Sequence, residues 1–388
     1  MKVLFISAWY PNRYDEMAGL FVRKHAQAIS QFCDVEVLYI HPATDINRFE
    51  ICVKNIDKLK ETTVYFPAKS NNSVQKLIKQ LNYLIAYYKG WQRLKKSGYS
   101  PDIIHANILT RTGLMAYFIR LFTSIPYVIT EHWSRYLPLR NSYHGAIRKK
   151  VTKIVAAKAE AIFPVSENLK NAMILHGINN QSYKVINNTV DNFFFKQAEK
   201  TDQRIVQILH VSCFDEQAKN LKGMLNAVKV LSEKRTDFKI TLIGTGIDFE
   251  LIYNFAQSLN FPEGMIEFMG EKMPTEVAEY MQHSDFFVLF SNYENSPVVI
   301  SESLACGKPV ISSNVGGISE HINSSNGILI APRDEEALAE SIDYMLDHFS
   351  DYKSAEIQSV AKSKFSMEAV GKEIYEQYLK ALKLKHNN

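Results

Sequence analysis

Long hydrophobic runs are missing: nowhere in the 388 residues does an apolar stretch approach the roughly 18 to 20 needed to span a membrane. Cysteine is scarce. Cys33, Cys52, Cys213 and Cys306 form no C-x-x-C pair and have no histidine at metal-ligand spacing. That argues against a disulfide framework or a structural zinc site, and points to a reducing compartment, the cytoplasm by default. The opening MKVLFISAWYPN has one Lys before a short apolar run and no small-residue cleavage site, so it reads as a first strand and not as a signal peptide. No G-x-G-x-x-G follows that strand, and LIGTGIDFE offers only Gly244 and Gly246, which argues against a dinucleotide-binding dehydrogenase. No D-x-D motif sits on a strand-end loop, and there is neither a low-complexity segment nor a short repeat.

What is present is the mix of a globular protein with a substantial core, 46% apolar and 22% charged, in a chain long enough for two domains. The net charge of +4 conceals an asymmetry. Residues 1–190 carry 26 Lys and Arg against 12 Asp and Glu, whereas 191–388 carry 19 against 29. A basic half joined to an acidic half suggests two domains with different partners. Nucleic acid is a poor match for the basic half, because no recognised binding module accompanies the charge. An anionic membrane surface or a phosphate-bearing acceptor fits it better.

Short apolar runs alternate with longer amphipathic stretches. In the first half, strands are expected at 2–7, 35–40, 102–106, 127–130, 161–166 and 184–186, with helices at 19–30, 73–94, 111–122 and 146–160. In the second half, strands are expected at 207–212, 239–244, 266–270, 285–291, 309–313 and 327–330, with helices at 221–234 and 275–284 among them. Near-continuous apolar strands alternating with helices indicate parallel sheets buried on both faces. Two such series predict two Rossmann-like, doubly wound α/β domains: 1–192, 193–365, and a helix over 366–388 returning to the first. The boundary is expected near 192–204. Ligands of such sheets bind outside the carboxyl ends of the strands, so two domains facing one another would place a site in the cleft between them.

The most informative segment is SNYENSPVVISESLACGKPVISSNVGG, residues 291–317. Glu294 stands on the loop after a buried strand, and Glu302 stands in the helix that Pro297 opens. A helix start offers free N–H groups and a positive dipole end to a diphosphate, and nearby carboxylates can accept hydrogen bonds from sugar or ribose hydroxyls.

This segment resembles the E-x7-E signature of glycosyltransferase family 4, including the downstream A-C-G-K-P-V and Gly316-Gly317. TEHWS (130–134), VSENL (165–169), INNTVDNFF (186–194), HVSCFDEQAKN (210–220), LIGTG (242–246) and FMGEK (268–272) resemble the family's other segments, in its order. The resemblance covers nearly the whole chain and implies the GT-B fold. It implies transfer of a sugar from a nucleoside-diphosphate sugar with retention, without a metal, and with the departing phosphate taking the acceptor's proton. It assigns Glu302 to the donor's ribose and Glu294 to the donor sugar. Lys219 goes to the diphosphate, with Gly244, Ser296, Val298 and Val299 lining the same site, and Gly270 with Glu271 goes to the base. In the first half it assigns Gly19 to a loop approaching the phosphates, with Arg23 in support, and His132 to the reacting sugar. His105 and Arg111 flank another strand end as further candidates.

Three departures stand out. Cys213-Phe214 replaces the usual phosphate-loop arginine, so Lys222 or Arg23 must compensate or donor binding is weak. Cys213 itself reads as a small buried residue and not as a nucleophile. Ser296-Pro297-Val298 replaces the usual F-G-[LF], so amide contacts must come from Val298 or Val299. Asn107 replaces a second histidine. The acceptor is expected to be a saccharide or lipid-linked hydroxyl in glycoconjugate synthesis. Peripheral membrane contact is expected through 73–96 and 146–158, where Lys and Arg mix with apolar residues. The rival readings are a sugar-nucleotide epimerase or inverting transferase of the same fold, and a non-catalytic sugar-nucleotide-binding partner subunit.

Overall fold

A computed structural model describes residues 1–69, 72–140, 142–196 and 205–386. The chain divides into two compact units, one of residues 1–165, 170–189 and 367–388, the other of residues 166–169 and 190–366. The expected boundary region, 192–204, falls largely outside the described residues.

The first unit holds a seven-stranded sheet: β1 (Lys2–Ser7), β2 (Asp34–Ala43), β3 (Glu50–Ile56), β4 (Leu59–Pro67), β5 (Ile103–Asn107), β6 (Tyr127–Glu131) and β7 (Ala161–Pro164). Their order is β3-β4-β2-β1-β5-β6-β7, parallel except for β3 against β4. β1 shows why the strands form: after Lys2 every side chain of VLFIS is buried, as a parallel strand covered on both faces requires. Val3 and Phe5 join one core with Val22 and Ala26 of the helix Leu20–Ser30 and with Val370, Ile374 and Tyr378 of the helix Met367–His386.

The hairpin β3–β4 went unread, because β3 is almost wholly exposed and β4 carries Glu61, Thr62 and Thr63 in place of an apolar run. The segment 184–186 is not a strand. It runs beside β7 with two hydrogen bonds, Lys184 to Ile162 and Ile186 to Pro164, and only Tyr183 forms a bridge.

The second unit holds six parallel strands: β8 (Val206–Val211), β9 (Phe238–Ile243), β10 (Ile266–Phe268), β11 (Phe286–Leu289), β12 (Val310–Ser313) and β13 (Gly327–Ile330). The order β10-β9-β8-β11-β12-β13 starts in the middle, winds outward, then reverses and winds the other way. The connections from β8 and β11 therefore leave in opposite directions, and a crevice opens between the carboxyl ends of these two neighbours.

Candidate functional site

That crevice brings Lys219 and Glu294 together, with the Gly244 and Gly316 loops beside it. After β8, Ser212 and Phe214 donate to the carbonyls of Ile243 and Thr245, and Asp215 caps the short helix Glu216–Lys219. Asn220, at φ 49°, turns the chain into the helix Leu221–Ser232. After β11, the Asn292 amide donates to the Ala218 carbonyl at 2.8 Å and its side chain to Gln217 at 3.0 Å, so the two loops are tied across the crevice. Lys219 Nζ then meets Glu294 Oε1 at 2.5 Å, and the Ser291 hydroxyl donates to the same oxygen at 2.8 Å. Both charged side chains are mostly buried, at 14% and 11% exposure. Burial works against the ammonium, but the Glu294 carboxylate outweighs it and holds Lys219 above the ordinary lysine range.

The neighbouring loops close tightly on this pair. A Cβ on Gly316, at φ 60°, would stand 2.0 Å from the Glu294 carbonyl oxygen, so only glycine lets the β12 loop come so near. Gly244, at φ 133°, approaches the Ser212 carbonyl even more closely and donates to the Gly270 carbonyl at 2.8 Å. Beyond Pro297 the helix Val298–Ala305 begins, its first two residues half-buried and Glu302 buried one turn on. Glu271 is exposed and Ser296 half-buried. The arrangement offers a cation fixed by a carboxylate, N–H groups at a helix start, and a second buried carboxylate, Glu302, on that helix. Anion binding beside polyol recognition is the chemistry such a set supports.

Cys213 is corrected: the thiol is exposed, because Phe214 and not Cys213 turns into the core. Cys52 is also exposed, whereas burial pushes the Cys33 thiol up to about 11 and Cys306 higher still. A thiol reagent is expected to modify Cys213 and Cys52 alone. A nucleoside diphosphate at several times its Kd should slow Cys213 by about fivefold and leave Cys52 unchanged, as mass spectrometry of the labelled chain would read.

In the first unit, His132 follows β6. Its ring lies 4.7 Å from Phe21 and 5.3 Å from His25, and burial, then the neighbouring histidines, hold it well below the ordinary range against a hydrogen bond to Asn188. It is a neutral imidazole at physiological pH. The loop is held by a residue that sequence reasoning passed over. The fully buried Glu131 accepts the amides of His132 (2.9 Å) and Trp133 (2.8 Å) on one oxygen and of Leu109 (2.9 Å) on the other. A carboxylate ending an otherwise apolar strand was the available signal.

Three first-unit candidates are differently employed. His105 is fully buried, its ring nitrogens engaged by Tyr378 at 2.5 Å and Thr130 at 2.6 Å, and it packs the core. Arg23 is no stand-in for a phosphate-loop arginine: it grips buried Glu61 through two bonds of 2.9 and 2.8 Å, while the Tyr10 hydroxyl donates to the same carboxylate. Lys222, the second unit's alternative for that part, holds its ammonium 5.3 Å from the Phe255 ring centroid. Gly19, at φ 60°, is required by the chain itself, since a Cβ would stand 2.4 Å from the Trp9 carbonyl oxygen. Arg111 is exposed where β5 gives way to the helix Thr112–Thr123.

Residues 190–387 match the family model for glycosyl transferases group 1, and residues 26–192 match that for glycosyltransferase family 4. Similar chains include an uncharacterized glycosyltransferase of Methanocaldococcus jannaschii, 26% identical over 88% of this chain and 87% of the relative. Another is TuaC of Bacillus subtilis, a glycosyltransferase named for teichuronic acid biosynthesis, 25% identical over 88% of each chain. Among solved structures, HepE of Anabaena in complex with UDP superposes with a TM-score of 0.74 at 17% identity, covering 98% of this chain and all of that one, which shows a shared fold.

Proposed function

Because the chain belongs to the family of glycosyl transferases group 1, and is a glycosyltransferase of the GT-B fold, we propose that its donor is a nucleoside-diphosphate sugar seated at the β8/β11 crevice. The sugar passes with retention to a hydroxyl of a saccharide or lipid-linked acceptor. The bond from the anomeric carbon to the diphosphate oxygen breaks as the bond to the acceptor oxygen forms on the same face. The acceptor's proton leaves with the departing phosphate oxygen. Lys219 and the amides of Val298 and Val299 stabilise the charge that grows there, with no metal required. Glu302 accepts from the ribose and Glu294 from the sugar, while Gly270 and Glu271 face the base. His132, kept neutral by burial, hydrogen-bonds the reacting sugar. Sugar nucleotides are cytoplasmic metabolites, and we place the reaction in that compartment.

The observation that carries the reading is the buried Lys219–Glu294 pair at the crevice where the strand order reverses. Calorimetric titration with UDP, GDP and ADP tests it. One nucleotide is expected to bind, and Glu302→Ala to weaken it at least tenfold, or about 1.4 kcal/mol. Equal affinity in the variant would remove Glu302 from the site. Binding without turnover on any acceptor would favour the non-catalytic partner, the reading that the exposed Cys213 in the arginine's place supports.

A further inference from the structure

The helix Ser73–Lys96 of the first unit is built the wrong way round for a core helix. Val74, Leu77, Ile78, Leu81, Leu84 and Tyr88 are all exposed, Val74 by 66% and Tyr88 by 63%. At the angular step of an α-helix they fall within a stripe about 120° wide, the width a helix normally turns inward. What it buries instead is Ala86, Tyr87, Gly90 and Leu94, on the opposite side and only in its second half. No residue from 73 to 85 is buried. Lys89 stands at one edge of the stripe and Arg93, Lys95 and Lys96 follow at its carboxyl end, whereas Lys76 and Lys79 project from the other side; the helix contains no Asp or Glu.

The surroundings continue the pattern. Gly90 rests on Leu38 of β2, and Gly113 of the helix Thr112–Thr123 rests between Ile129 of β6 and Val155 of the helix Ala146–Lys158. Leu38, Ile6, Ala106 and Ile129 pair in one row across β2, β1, β5 and β6, so they point to the same face of the sheet. All three helices therefore lie on that face. The other two contain no acidic residue either, and they add Arg120 with Arg148, Lys149, Lys150, Lys153 and Lys158. They also expose Leu121, Phe122 and Ile147, Phe122 by 86%.

We propose that this face docks on an anionic lipid bilayer, the helix Ser73–Lys96 lying in the interface with its stripe among the acyl chains and its lysines at the headgroups. An unpartnered apolar stripe bordered by cations and free of carboxylates is complementary to such a surface on both counts. A second copy of the same face would set cation against cation. No described helix is long and apolar enough to cross a membrane, so the contact lies on the surface. The inference stands on this surface alone and is independent of where the donor binds.

Vesicle flotation of the full chain tests it. Phosphatidylcholine vesicles containing roughly a third phosphatidylglycerol should bind the protein at least tenfold more tightly than phosphatidylcholine alone, and added salt should weaken the binding. The double variant Leu77→Glu/Leu81→Glu changes two exposed side chains and is expected to keep its melting temperature while losing at least tenfold in partitioning. Val360→Glu, at an exposed apolar position of the second unit, should bind like the parent. Equal binding to both vesicle types, or undiminished binding by the double variant, would overturn the proposal. So would a lipid-free dimer in sedimentation velocity that the double variant abolishes, which would make the face an interface between copies. Nucleotide titration without vesicles reads the donor site separately, so either idea can fail alone.

Discussion

Lys219→Met is expected to lower turnover by about 10²–10³, equivalent to about 3–4 kcal/mol of lost leaving-group stabilisation. The same change strands the Glu294 carboxylate in a mostly buried site with only the Ser291 hydroxyl beside it. Stability should fall by about 3 kcal/mol, lowering the melting of the second unit by roughly 9 °C. Glu294→Gln should destabilise comparably, by leaving the ammonium without its counter-charge. Combining the two removes both charges from the crevice. The double variant Lys219→Met/Glu294→Gln is expected to recover to within about 1 kcal/mol of the parent while remaining as inactive as Lys219→Met. Thermal unfolding and turnover on the four proteins separate the roles. If activity returned along with stability, the pair would be an internal brace and its place in the donor site would be lost.

Acid should destabilise the fold through its interior histidines. Burial holds His25, His210 and His321 at about 4, and holds His105 and His132 well below their ordinary value. Each of these groups has a folded pKa below its unfolded value of about 6.5. The neutral form is therefore favoured by folding: the contribution is fully present above about pH 6.5 and is lost as pH falls toward 4. For His25, His210 and His321 the loss is roughly 3 kcal/mol each once pH lies below the folded value. Melting temperature should be flat in these groups above neutrality and fall steeply below about pH 6. His321→Gln, at a ring packed edge-on against Phe365, should fall less steeply by the share of one proton. An unchanged slope would mean that His321 stays charged in the folded unit.

The second unit was legible almost strand by strand, because β8, β9, β11 and β12 lie between covered faces and so appear as apolar runs. The hairpin was not legible, since an edge strand open to water on both sides leaves no such trace. That omission had a second effect. With β4 unread, Glu61 was not available as a partner, and Arg23 looked free to meet phosphate when it is bound 38 residues away inside its own unit. Spacing could place Lys219 and Glu294 at two strand ends, but only the crossing order of the strands brings residues 75 apart to 2.5 Å. Cys213 was misjudged because size and polarity do not say which of two adjacent residues turns inward; the Phe214 ring took the core position.

The helix Met367–His386 closes the core of the first unit, where Val370, Ile374 and Tyr378 lie with Val22 and Ala26. It does so from the far end of the chain, after the whole second unit has been made. On the ribosome every residue of the second unit, 166–169 and 190–366, has been made while the first still waits with an apolar flank uncovered and His105 without its Tyr378 hydroxyl. The half of the molecule translated first is thus the half that finishes folding last. Slowed translation near residue 366 should lengthen the exposure of that flank to chaperones and proteases, an order of assembly that the linear sequence of the two domains would not suggest.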